Sequence, residues 1–506
     1  MKRVKLYISL ILASAFMAAC GSGGNITKND DKDIAIYPDY KNVTIPCNIA
    51  PMNFCVKDST DTEYALQISA GERTMWVDAD DKDFVIDSDD WKALTQLKPG
   101  STTPKSITFT IARKENNEWI GSKPFKMTVV ADSIDDYLTY RLVPPGYVSW
   151  YKMGIYQHQL STSEESVVME NSHLKGACMN CHTVGSHRSD RTLFHIRSYY
   201  GGTYLFRNGK IERLEAKTDS TISGFVYPSW HPDGRYIAFS NNKTAQEFHT
   251  SDRNRIEVFD DGSDVIMYDA DKHEVFSTPL LKSEDYWETF PSFSPDGKWL
   301  YFCKAKRVRE VSLNYKDVHY SLCRIAFDAE KAEFGTEVET LYDAEETGRS
   351  ISFPRVSPDG KWIIATIHDF GNFSIWHRNA ELYIAPIPEA GFAASASSIL
   401  DWKKLFGNDW GRGGCSYHSW SSNGRWLVFS SRRDDGLYTR PYFTYMDKSG
   451  KPHKPFMLPQ EKPRKFYKQR DLSYNVPEFM TSRFETPMRD IIEATTQDSI
   501  PVTYRK

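Results

Sequence analysis

Tyr227-Pro-Ser-Trp-His-Pro-Asp-Gly-Arg-Tyr-Ile-Ala-Phe239 is the stretch that decides how this sequence folds, because it occurs four times. Each copy joins an aromatic residue, a short polar turn and a run of mostly apolar residues. Repetition at this scale indicates an architecture of similar stacked units. The other copies are Phe290-Pro-Ser-Phe-Ser-Pro-Asp-Gly-Lys-Trp-Leu-Tyr-Phe302, Phe353-Pro-Arg-Val-Ser-Pro-Asp-Gly-Lys-Trp-Ile-Ile-Ala365 and Tyr417-His-Ser-Trp-Ser-Ser-Asn-Gly-Arg-Trp-Leu-Val-Phe429.

The turn inside each copy has a local chemical cause. In the Pro-Asp-Gly triplet, proline presets the first corner, aspartate bonds the nearby backbone and glycine supplies a positive φ. Residues such as Ile237 and Phe239 then alternate with their neighbours, which is typical of a strand with two distinct faces. The repeat therefore predicts two strands joined by a tight turn. The turn glycines follow at intervals of 63, 63 and 64 residues and are Gly234, Gly297, Gly360 and Gly424.

These repeats resemble the TolB-type, WD-like propeller repeat, whose signature is a Ser-Pro-Asp-Gly turn between the two inner strands of a blade. The resemblance implies an all-β chain with a TolB-like propeller of five or six blades over residues 191–465. The spacing exceeds the roughly 40 to 45 residues of a compact blade, so each copy carries insertions. A diverged further blade is indicated between Gly201 and Lys210. The alternative, an open solenoid, would leave sheet edges exposed.

Outside the repeats, the sequence divides by composition. Residues 36–145 alternate short strand-like runs with turns rich in Asp, Gly and Pro, and we expect a small β-sandwich there. Residues 146–190 contain a polar, helix-permissive stretch, which predicts a short helical segment, and residues 466–506 are expected to form a C-terminal tail. An aromatic content of 14% agrees with a strand-rich chain.

The N-terminus has the layout of an export signal. Lys2, Arg3 and Lys5 precede an apolar run, and Cys20 follows small residues. This resembles a bacterial lipoprotein signal, which implies a signal peptide over 1–19, acylation of Cys20 (palmitate among the acyl chains) and a tether over 20–35. Gly21 stands where an inner-membrane retention signal would place Asp, so the resemblance implies an outer-membrane lipoprotein. The alternative is an N-terminal helix that stays in the fold.

Export would place the remaining cysteines where disulfides form. Cys47 and Cys55 are close enough in sequence to pair, and Cys303 and Cys323 lie in two strand-like runs. Cys415 would then be left over. Connectivity cannot be deduced from spacing alone, so both pairs are open.

The chemistry-bearing motif is Cys178-Met-Asn-Cys-His182. A C-x-x-C-H sequence attaches c-type haem through two thioethers, at Cys178 and Cys181, while His182 binds the iron. We therefore expect one covalent haem c, packed against the propeller or the sandwich because the segment is too small to bury a porphyrin alone. The alternatives are a C-x-x-C disulfide and half of a zinc site completed by His187 and His173.

A second axial ligand is harder to assign. His195 is the preferred candidate, because the chain from His182 reaches it comfortably round a porphyrin edge, whereas His187 barely reaches. An open iron position is the alternative and would favour ligand binding over plain electron transfer. Upstream candidates are Met153, His158, Met169 and His173.

Other polar residues are interpreted as structural. No Gly-x-Ser-x-Gly elbow occurs, so a hydrolase is not expected, and the acidic clusters at 78–83 and 260–264 fit solvated turns better than calcium sites. His231 and His418 stand where the other copies hold Ser or Pro, and we expect them either to be structural or to face the channel or the haem. Hydroxyls near the predicted channel mouth are expected to be structural, and bulky repeat residues to fill the inter-blade core; these are Thr289, Ser352 and Ser416, and Trp230, Phe293 and Trp420.

Taken together, the motifs predict an envelope-anchored c-type cytochrome lipoprotein that exchanges electrons with a partner protein docked on the propeller, rather than an enzyme. Two stretches, Glu288-Thr-Phe-Pro-Ser-Phe-Ser-Pro-Asp-Gly297 and Ser416-Tyr-His-Ser-Trp-Ser-Ser-Asn-Gly-Arg425, resemble large TolB-like lipoproteins of Gram-negative anaerobes. A net charge of -4 with mixed signs gives no footprint for nucleic acid. The alternative is a haem-free propeller lipoprotein that binds a ligand or scaffolds an outer-membrane complex.

Overall fold

The structure is a computed structural model that describes residues 24–145, 152–252, 254, 256–388, 399–407, 410 and 413–505. The predicted signal peptide and the predicted lipidation site Cys20 lie outside these ranges. Strands dominate the described chain, which confirms the prediction of an all-β protein. Its helices are too short or too polar to cross a bilayer.

The N-terminal region forms two sheets and one helix, α1 (Ser88–Thr95), whose first turn is capped by the Asp87 carboxylate. Apolar side chains of both sheets share one core, in which the Phe54 and Phe84 ring centroids are 5.3 Å apart. The strands are β1 (Ile26–Asn29), β2 (Ile36–Tyr37), β3 (Thr44–Pro46), β4 (Phe54–Val56), β5 (Tyr64–Ala70), β6 (Arg73–Asp78), β7 (Asp83–Phe84), β8 (Lys105–Glu115), β9 (Glu118–Gly121) and β10 (Phe125–Val130). Strands β2, β4 and β7 form the smaller sheet, and the other seven form the larger one.

The rest of the chain is a succession of sheets of four or five strands. Its strands are β11 (Tyr137–Val143), β12 (Gly154–Gln159), β13 (Glu165–Glu170), β14 (Met179–Val184), β15 (Thr192–Ile196), β16 (Gly202–Arg207), β17 (Lys210–Glu215), β18 (Val226–Trp230), β19 (Tyr236–Phe248), β20 (Ile256–Asp269), β21 (Glu274–Phe276), β22 (Tyr286–Phe293), β23 (Trp299–Lys306), β24 (Ser321–Asp328), β25 (Glu333–Tyr342), β26 (Ser350–Val356), β27 (Trp362–His368), β28 (Glu381–Pro386), β29 (Lys403–Lys404), β30 (Cys415–Trp420), β31 (Trp426–Ser431), β32 (Arg440–Tyr445), β33 (Phe456–Met457), β34 (Ser473–Met480), β35 (Ile500–Pro501) and β36 (Thr503–Tyr504). Short helices are α2 (Val311–Asn314), α3 (Ala344–Thr347), α4 (Pro463–Gln469) and α5 (Met488–Thr496).

These strands pair into six sheets, numbered here in chain order. The sheets, each from its inner strand outward, are β34-β11-β12-β13, β14-β15-β16-β17-β35, β18-β19-β20-β21-β36, β22-β23-β24-β25, β26-β27-β28-β29 and β30-β31-β32-β33. Each inner strand contacts the inner strand of the next sheet, and β30 contacts β34, which contacts β14. The six inner strands therefore surround a common centre, and the fold is propeller-like.

The repeats form the strands that the sequence predicts. In four of the sheets, the quoted stretch supplies the inner strand, the tight turn and the start of the second strand. The hairpin predicted between Gly201 and Lys210 is also present, as β16 and β17 joined at Asn208. The bulky repeat residues Trp230, Phe293 and Trp420 are at most 8% exposed, as predicted for inter-blade core.

The expectation of a short helical segment over 146–190 is corrected by the residues that the structure describes there. Met179–Val184 is the strand β14, and only single 3-10 turns, at Asn171–Leu174 and Gly185–His187, flank it. Thr183 and Val184 are β-branched and favour the strand, which is held by pairing with β15. The motif that was expected in a helix between two domains therefore lies on an inner strand of the second sheet.

The chain ends also differ from the expected boundaries. Strand β11 lies within the predicted sandwich region and β34 within the predicted tail, yet the two pair with each other in the first sheet. The strands β35 and β36 extend the second and third sheets. No disulfide joins the predicted cysteine pairs. Cys323 pairs in register with Phe302, so that Cys303 and Cys323 point to opposite faces of their sheet.

The fourth copy of the repeat departs from Pro-Asp-Gly for a visible reason. The Ser422 backbone N–H donates to the Asp135 carboxylate at 2.8 Å, which a proline could not do. The Asn423 amide donates to the Ser133 carbonyl at 2.7 Å, which an aspartate could not do. These two substitutions attach the sixth sheet to the segment that follows the N-terminal sheets.

Candidate functional site

A bulge recurs in every inner strand. In each of the six sheets the register between inner and second strand shifts, and one residue there adopts a left-handed backbone. A non-glycine residue in this region costs about 1 kcal/mol or more, so its repetition marks a position that the fold enforces. The six residues and their φ values are Cys181 (53°), Tyr227 (49°), Phe290 (51°), Phe353 (53°), Tyr417 (52°) and Val476 (49°).

All six bulge residues line one cavity of about 710 Å³ at the centre of the sheets. Four of them form an aromatic arc: the ring centroids of Tyr227 and Phe290 are 4.7 Å apart, those of Phe290 and Phe353 4.1 Å and those of Phe353 and Tyr417 4.9 Å. Cys181 and Val476 occupy the remaining positions. The cavity volume is typical of a site for a small molecule or cofactor.

The cavity lies beside a hairpin that is longer than the other repeat hairpins. Strands β19 and β20 pair over their whole length, from Tyr236 with Asp269 to Phe248 with Ile256. The part of this hairpin beyond the sheet supplies a wall of mixed character, with Thr244, Gln246, Phe248, Ile256 and Val258. The site is therefore partly covered and not an open groove.

Cys178 and Cys181 both line this cavity and are both free, half-buried thiols. Burial raises the pKa of Cys181, while a backbone hydrogen bond with Tyr227 and the positive charges of Arg197 and Arg141 act in the opposite direction. The structure thus brings the predicted attachment residues together on one face, although the backbone between them is extended where a helix was expected.

His182 also lines the cavity and is 3% exposed. Burial lowers the pKa of His182 to about 3, so the imidazole is neutral, which is the form that binds metal ions. A backbone hydrogen bond with Val476 acts on the ring, whereas its Nε2 atom is buried without a partner among the described residues. A neutral ring held through one nitrogen, with the other nitrogen unused, is the usual arrangement of a histidine ligand.

Glu478 stands beside the motif and was not anticipated from the sequence. Its carboxylate accepts hydrogen bonds from the Thr183 hydroxyl at 3.1 Å and from the Val184 backbone N–H at 3.0 Å. Burial raises the pKa of Glu478 to about 7, against the opposing charge of Arg355. This residue therefore ties the closing strand β34 to the strand that carries the motif.

The structure does not bring His195 to the cavity. Its ring packs against Gly224, its Nδ1 atom is 3.2 Å from the Thr203 hydroxyl, and burial lowers its pKa to about 4. Among the other suggested ligands only Met153 lines the cavity, and its sulfur accepts the Met179 backbone N–H at 3.2 Å. The remaining candidates, His158, Met169, His173 and His187, lie elsewhere.

Of the two repeat histidines, one reaches the cavity. His418 lines it, with its Nε2 atom 3.0 Å from the Ile364 carbonyl oxygen, and burial lowers its pKa to about 3. His231 instead packs between sheets, with Nε2 3.2 Å from the Gly297 carbonyl oxygen. The hydroxyls expected near the mouth are fully buried and structural, as predicted for Thr289, Ser352 and Ser416.

A sequence signal could have located the motif in the propeller. Cys181-His182-Thr183-Val184 matches Tyr417-His418-Ser419-Trp420 position for position, since each places the bulge residue before a histidine, a hydroxyl residue and an apolar residue. Val476-Pro477-Glu478-Phe479 is a second diverged copy, which keeps the proline of the other repeats after the bulge residue. Aligning the short inner-strand segment alone, without its turn, reveals six copies instead of four.

The residues present fit a c-type haem. Two thiols and a neutral histidine with an unused, buried nitrogen line one cavity, and an aromatic arc completes the ring of bulge residues. The zinc alternative requires His173 and His187 beside the two cysteines, and neither lines the cavity. The described ranges contain no group of three or more His, Cys, Asp or Glu residues arranged to hold a metal ion. In particular, His173 is exposed, and Nδ1 of His187 is 3.3 Å from the Phe479 carbonyl oxygen.

No family model and no curated protein matches the chain. Solved structures with similar folds include a prolyl endopeptidase, at 10% identity and a TM-score of 0.34, over 69% of this chain and 41% of that one. The chain thus spans about two fifths of the length of that peptidase.

Two further solved structures show the range of similarity. The β-propeller domain of Cps50 (Swd1) from Myceliophteria thermophila is 13% identical, with a TM-score of 0.30, over 56% of this chain and 86% of that one. A DUF4784 family protein from Bacteroides caccae is 9% identical, with a TM-score of 0.30, over 85% of this chain and 97% of that one.

Proposed function

We propose that this chain is a c-type cytochrome lipoprotein of the bacterial envelope, with one haem held covalently at Cys178 and Cys181 inside a six-bladed, TolB-like propeller. The observation that carries the proposal is the convergence of Cys178, Cys181 and His182 on one central cavity. In this interpretation the first sheet is the blade that closes the ring, because it joins β34 to β11. The N-terminal sheets are then a β-sandwich docked on the sixth blade.

The residues of this chain would hold the group in distinct ways. The two thiols would bond its edge, and His182 would bind its iron through the nitrogen that has no protein partner. The aromatic arc would pack against its faces and exclude water. A bound haem supplies one-electron transfer, with a potential that burial and nearby charges adjust.

Anchorage and partners follow from the N-terminal signal. A lipid at Cys20 would hold the protein on the outer membrane, with the propeller free to dock a redox partner protein or an envelope complex. No run of basic residues points to nucleic acid. We propose an electron-transfer role without catalysis of its own.

The second candidate is a haem-free propeller lipoprotein that binds a small ligand or scaffolds an outer-membrane complex. One observation favours it: the cavity is already formed and lined by aromatic rings, so a ligand could enter without a covalent bond. The two functions differ in whether the thiols are modified in the exported protein.

An absorption spectrum of denatured, exported protein separates them, because only a covalently bound haem stays with the chain. We expect a c-type haem signal in the unaltered chain and none in Cys178→Ala/Cys181→Ala. Cys303→Ala/Cys415→Ala, which removes two buried thiols outside the cavity, should keep the signal. Absence of the signal from the unaltered chain, exported by a host that matures c-type cytochromes, would rule out the cytochrome.

A further inference from the structure

Three arginine side chains from different parts of the propeller line the central cavity. Arg141 comes from β11, Arg197 follows β15 and Arg355 comes from β26. Arg141 and Arg197 are close enough to Cys181 for their charges to oppose the burial that raises the pKa of its thiol. Arg355 stands on the fifth sheet, three sheets round the ring from the second, which carries the motif.

None of the three has a carboxylate partner among the residues that the structure describes. Within the described residues no Asp or Glu oxygen lies within 4.0 Å of them, whereas arginines such as Arg235 form such pairs. Their hydrogen bonds go to amide oxygens instead. Arg141 donates to the Met179 carbonyl at 3.3 Å, Arg197 to the Asn180 side-chain amide at 3.1 Å and Arg355 to the Pro354 carbonyl at 3.0 Å.

Glu478 is the one carboxyl group among the described residues that line the cavity, and it balances this charge only in part. Both oxygens of Glu478 are used by Thr183 and Val184. Its raised pKa of about 7 leaves it largely protonated at slightly acid pH. Burial lowers the pKa of the Arg355 guanidinium even though the nearby Glu478 carboxyl acts in the opposite direction, so the desolvation of this cation is not fully offset. An anionic ligand in the cavity would offset that cost.

We propose that Arg141, Arg197 and Arg355 bind the ionised carboxylates of the molecule that occupies the central cavity. Guanidinium groups suit this task because their planar donors match both oxygens of a carboxylate. The inference deepens the proposed function, on which its main form rests: the carboxylates are then the two propionates of the haem. A free organic dicarboxylate has the same chemistry and would be the occupant of a haem-free propeller.

The test compares two porphyrins that differ only in charge. The mature chain with Cys178→Ala/Cys181→Ala binds porphyrin reversibly, so that affinities for iron protoporphyrin IX and for its dimethyl ester can be measured by absorbance titration. A charge-assisted hydrogen bond contributes about 1.5 to 3 kcal/mol, so the diacid should bind roughly 10- to 100-fold more tightly than the ester.

Adding Arg141→Gln or Arg355→Gln should reduce that preference at least several-fold and leave the affinity for the ester unchanged. Arg188→Gln is the matched control, because Arg188 is exposed, pairs with Asp190 and lies outside the cavity. If the double cysteine variant fails to fold by circular dichroism, the same titrations are run on reduced chain produced without haem attachment. Equal binding of diacid and ester, or equal loss of both in the arginine variants, would overturn the proposal.

A second arm identifies the source of the carboxylates. If succinate raises the thermal midpoint of haem-free wild-type chain but not of Arg355→Gln, and neither porphyrin binds, the arginine site stands and the cytochrome does not. If haem attaches covalently in the wild type but the diacid has no advantage over the ester, the cytochrome stands and the arginine site is refuted. Failure of both succinate and the diacid to bind refutes the site as well.

Discussion

Replacement of Glu478 by glutamine should remove a pH-dependent cost from the folded state. In the folded chain the pKa of Glu478 is about 7, against an ordinary value of 4.5. The folded state therefore keeps this proton more firmly than the unfolded chain, and stability is lost as pH rises through the interval between these two values. Since one pKa unit corresponds to about 1.36 kcal/mol, the loss attributable to this carboxyl amounts to about 3 kcal/mol.

Glutamine preserves the local contacts while removing the charge. Its amide oxygen can accept the Val184 N–H, and its amide nitrogen can donate to the Thr183 hydroxyl, which rotates to accept. Glu478→Gln should therefore unfold at nearly the same urea concentration as wild type near pH 5 and at a higher one near pH 8. The difference in free energy of unfolding should grow by about 3 kcal/mol between these conditions.

The assay is urea unfolding followed by tryptophan fluorescence at several pH values, with Glu485→Gln as the control. Glu485 is exposed and lies just beyond the same strand, so its replacement should leave the pH profile unchanged. Parallel stability profiles for wild type and Glu478→Gln would contradict the burial argument. A variant less stable than wild type near pH 8 would do so more strongly, because it would show that the ionised carboxylate is favourable.

Three further predictions concern the repeats and the cavity. Gly297→Ala should cost more stability than Gly360→Ala. Both glycines have φ above 70°, but a methyl group at 297 would lie 2.2 Å from His231 Nε2, while the space at 360 is open. Thermal midpoints of the two variants test this, and equal losses would refute the contact. Restoring the consensus turn with Ser422→Pro/Asn423→Asp should destabilise the protein by about 3 kcal/mol, because it removes the donors to Asp135 and Ser133. Urea unfolding measures this loss. A gain in stability would contradict the role of these two residues in attaching the sixth sheet. Tyr227→Ala should lower the affinity of the Cys178→Ala/Cys181→Ala chain for iron protoporphyrin IX by roughly tenfold, because it removes one ring of the aromatic arc. An unchanged affinity in the absorbance titration would show that the arc does not contribute to binding.

The repeat strands could be predicted because their signal is local. A Pro-Asp-Gly turn between alternating apolar residues specifies its own backbone, so four sheets were visible as hairpins before any long-range contact was known. The burial of Trp230 follows in the same way, since its position recurs as an apolar residue in the other copies.

The pairing of β34 with β11 could not be predicted, because it joins segments that are far apart in the sequence. Strand β34 contains Pro477 and a buried glutamate, and this composition alone predicts a polar tail. It forms a strand because it pairs with β11. The strand that carries the C-x-x-C-H motif could not be predicted from the repeat pattern, for a related reason. Cysteine and histidine replace the aromatic-proline pair of the repeat, so the chemistry of the motif concealed its place in the fold.

The site residues also differ in whether local sequence predicts them or whether they depend on pairing between distant strands. Cys178, Cys181 and His182 can be predicted as a group from spacing alone, because the motif is contiguous. His195, Glu478 and the cavity arginines depend on which strands meet at the centre, and the sequence offered no measure of that. His418 was noted only as an oddity of its copy, although its position is the same as that of His182 in the inner-strand alignment.

The most direct test of the account is the intact mass of the exported, mature protein. The account predicts the mass of the lipidated polypeptide plus one haem, with the haem lost in Cys178→Ala/Cys181→Ala and kept in Cys303→Ala/Cys415→Ala. A mature wild-type chain whose mass leaves no room for a haem, from a host that attaches haem to a control cytochrome, would contradict the central claim.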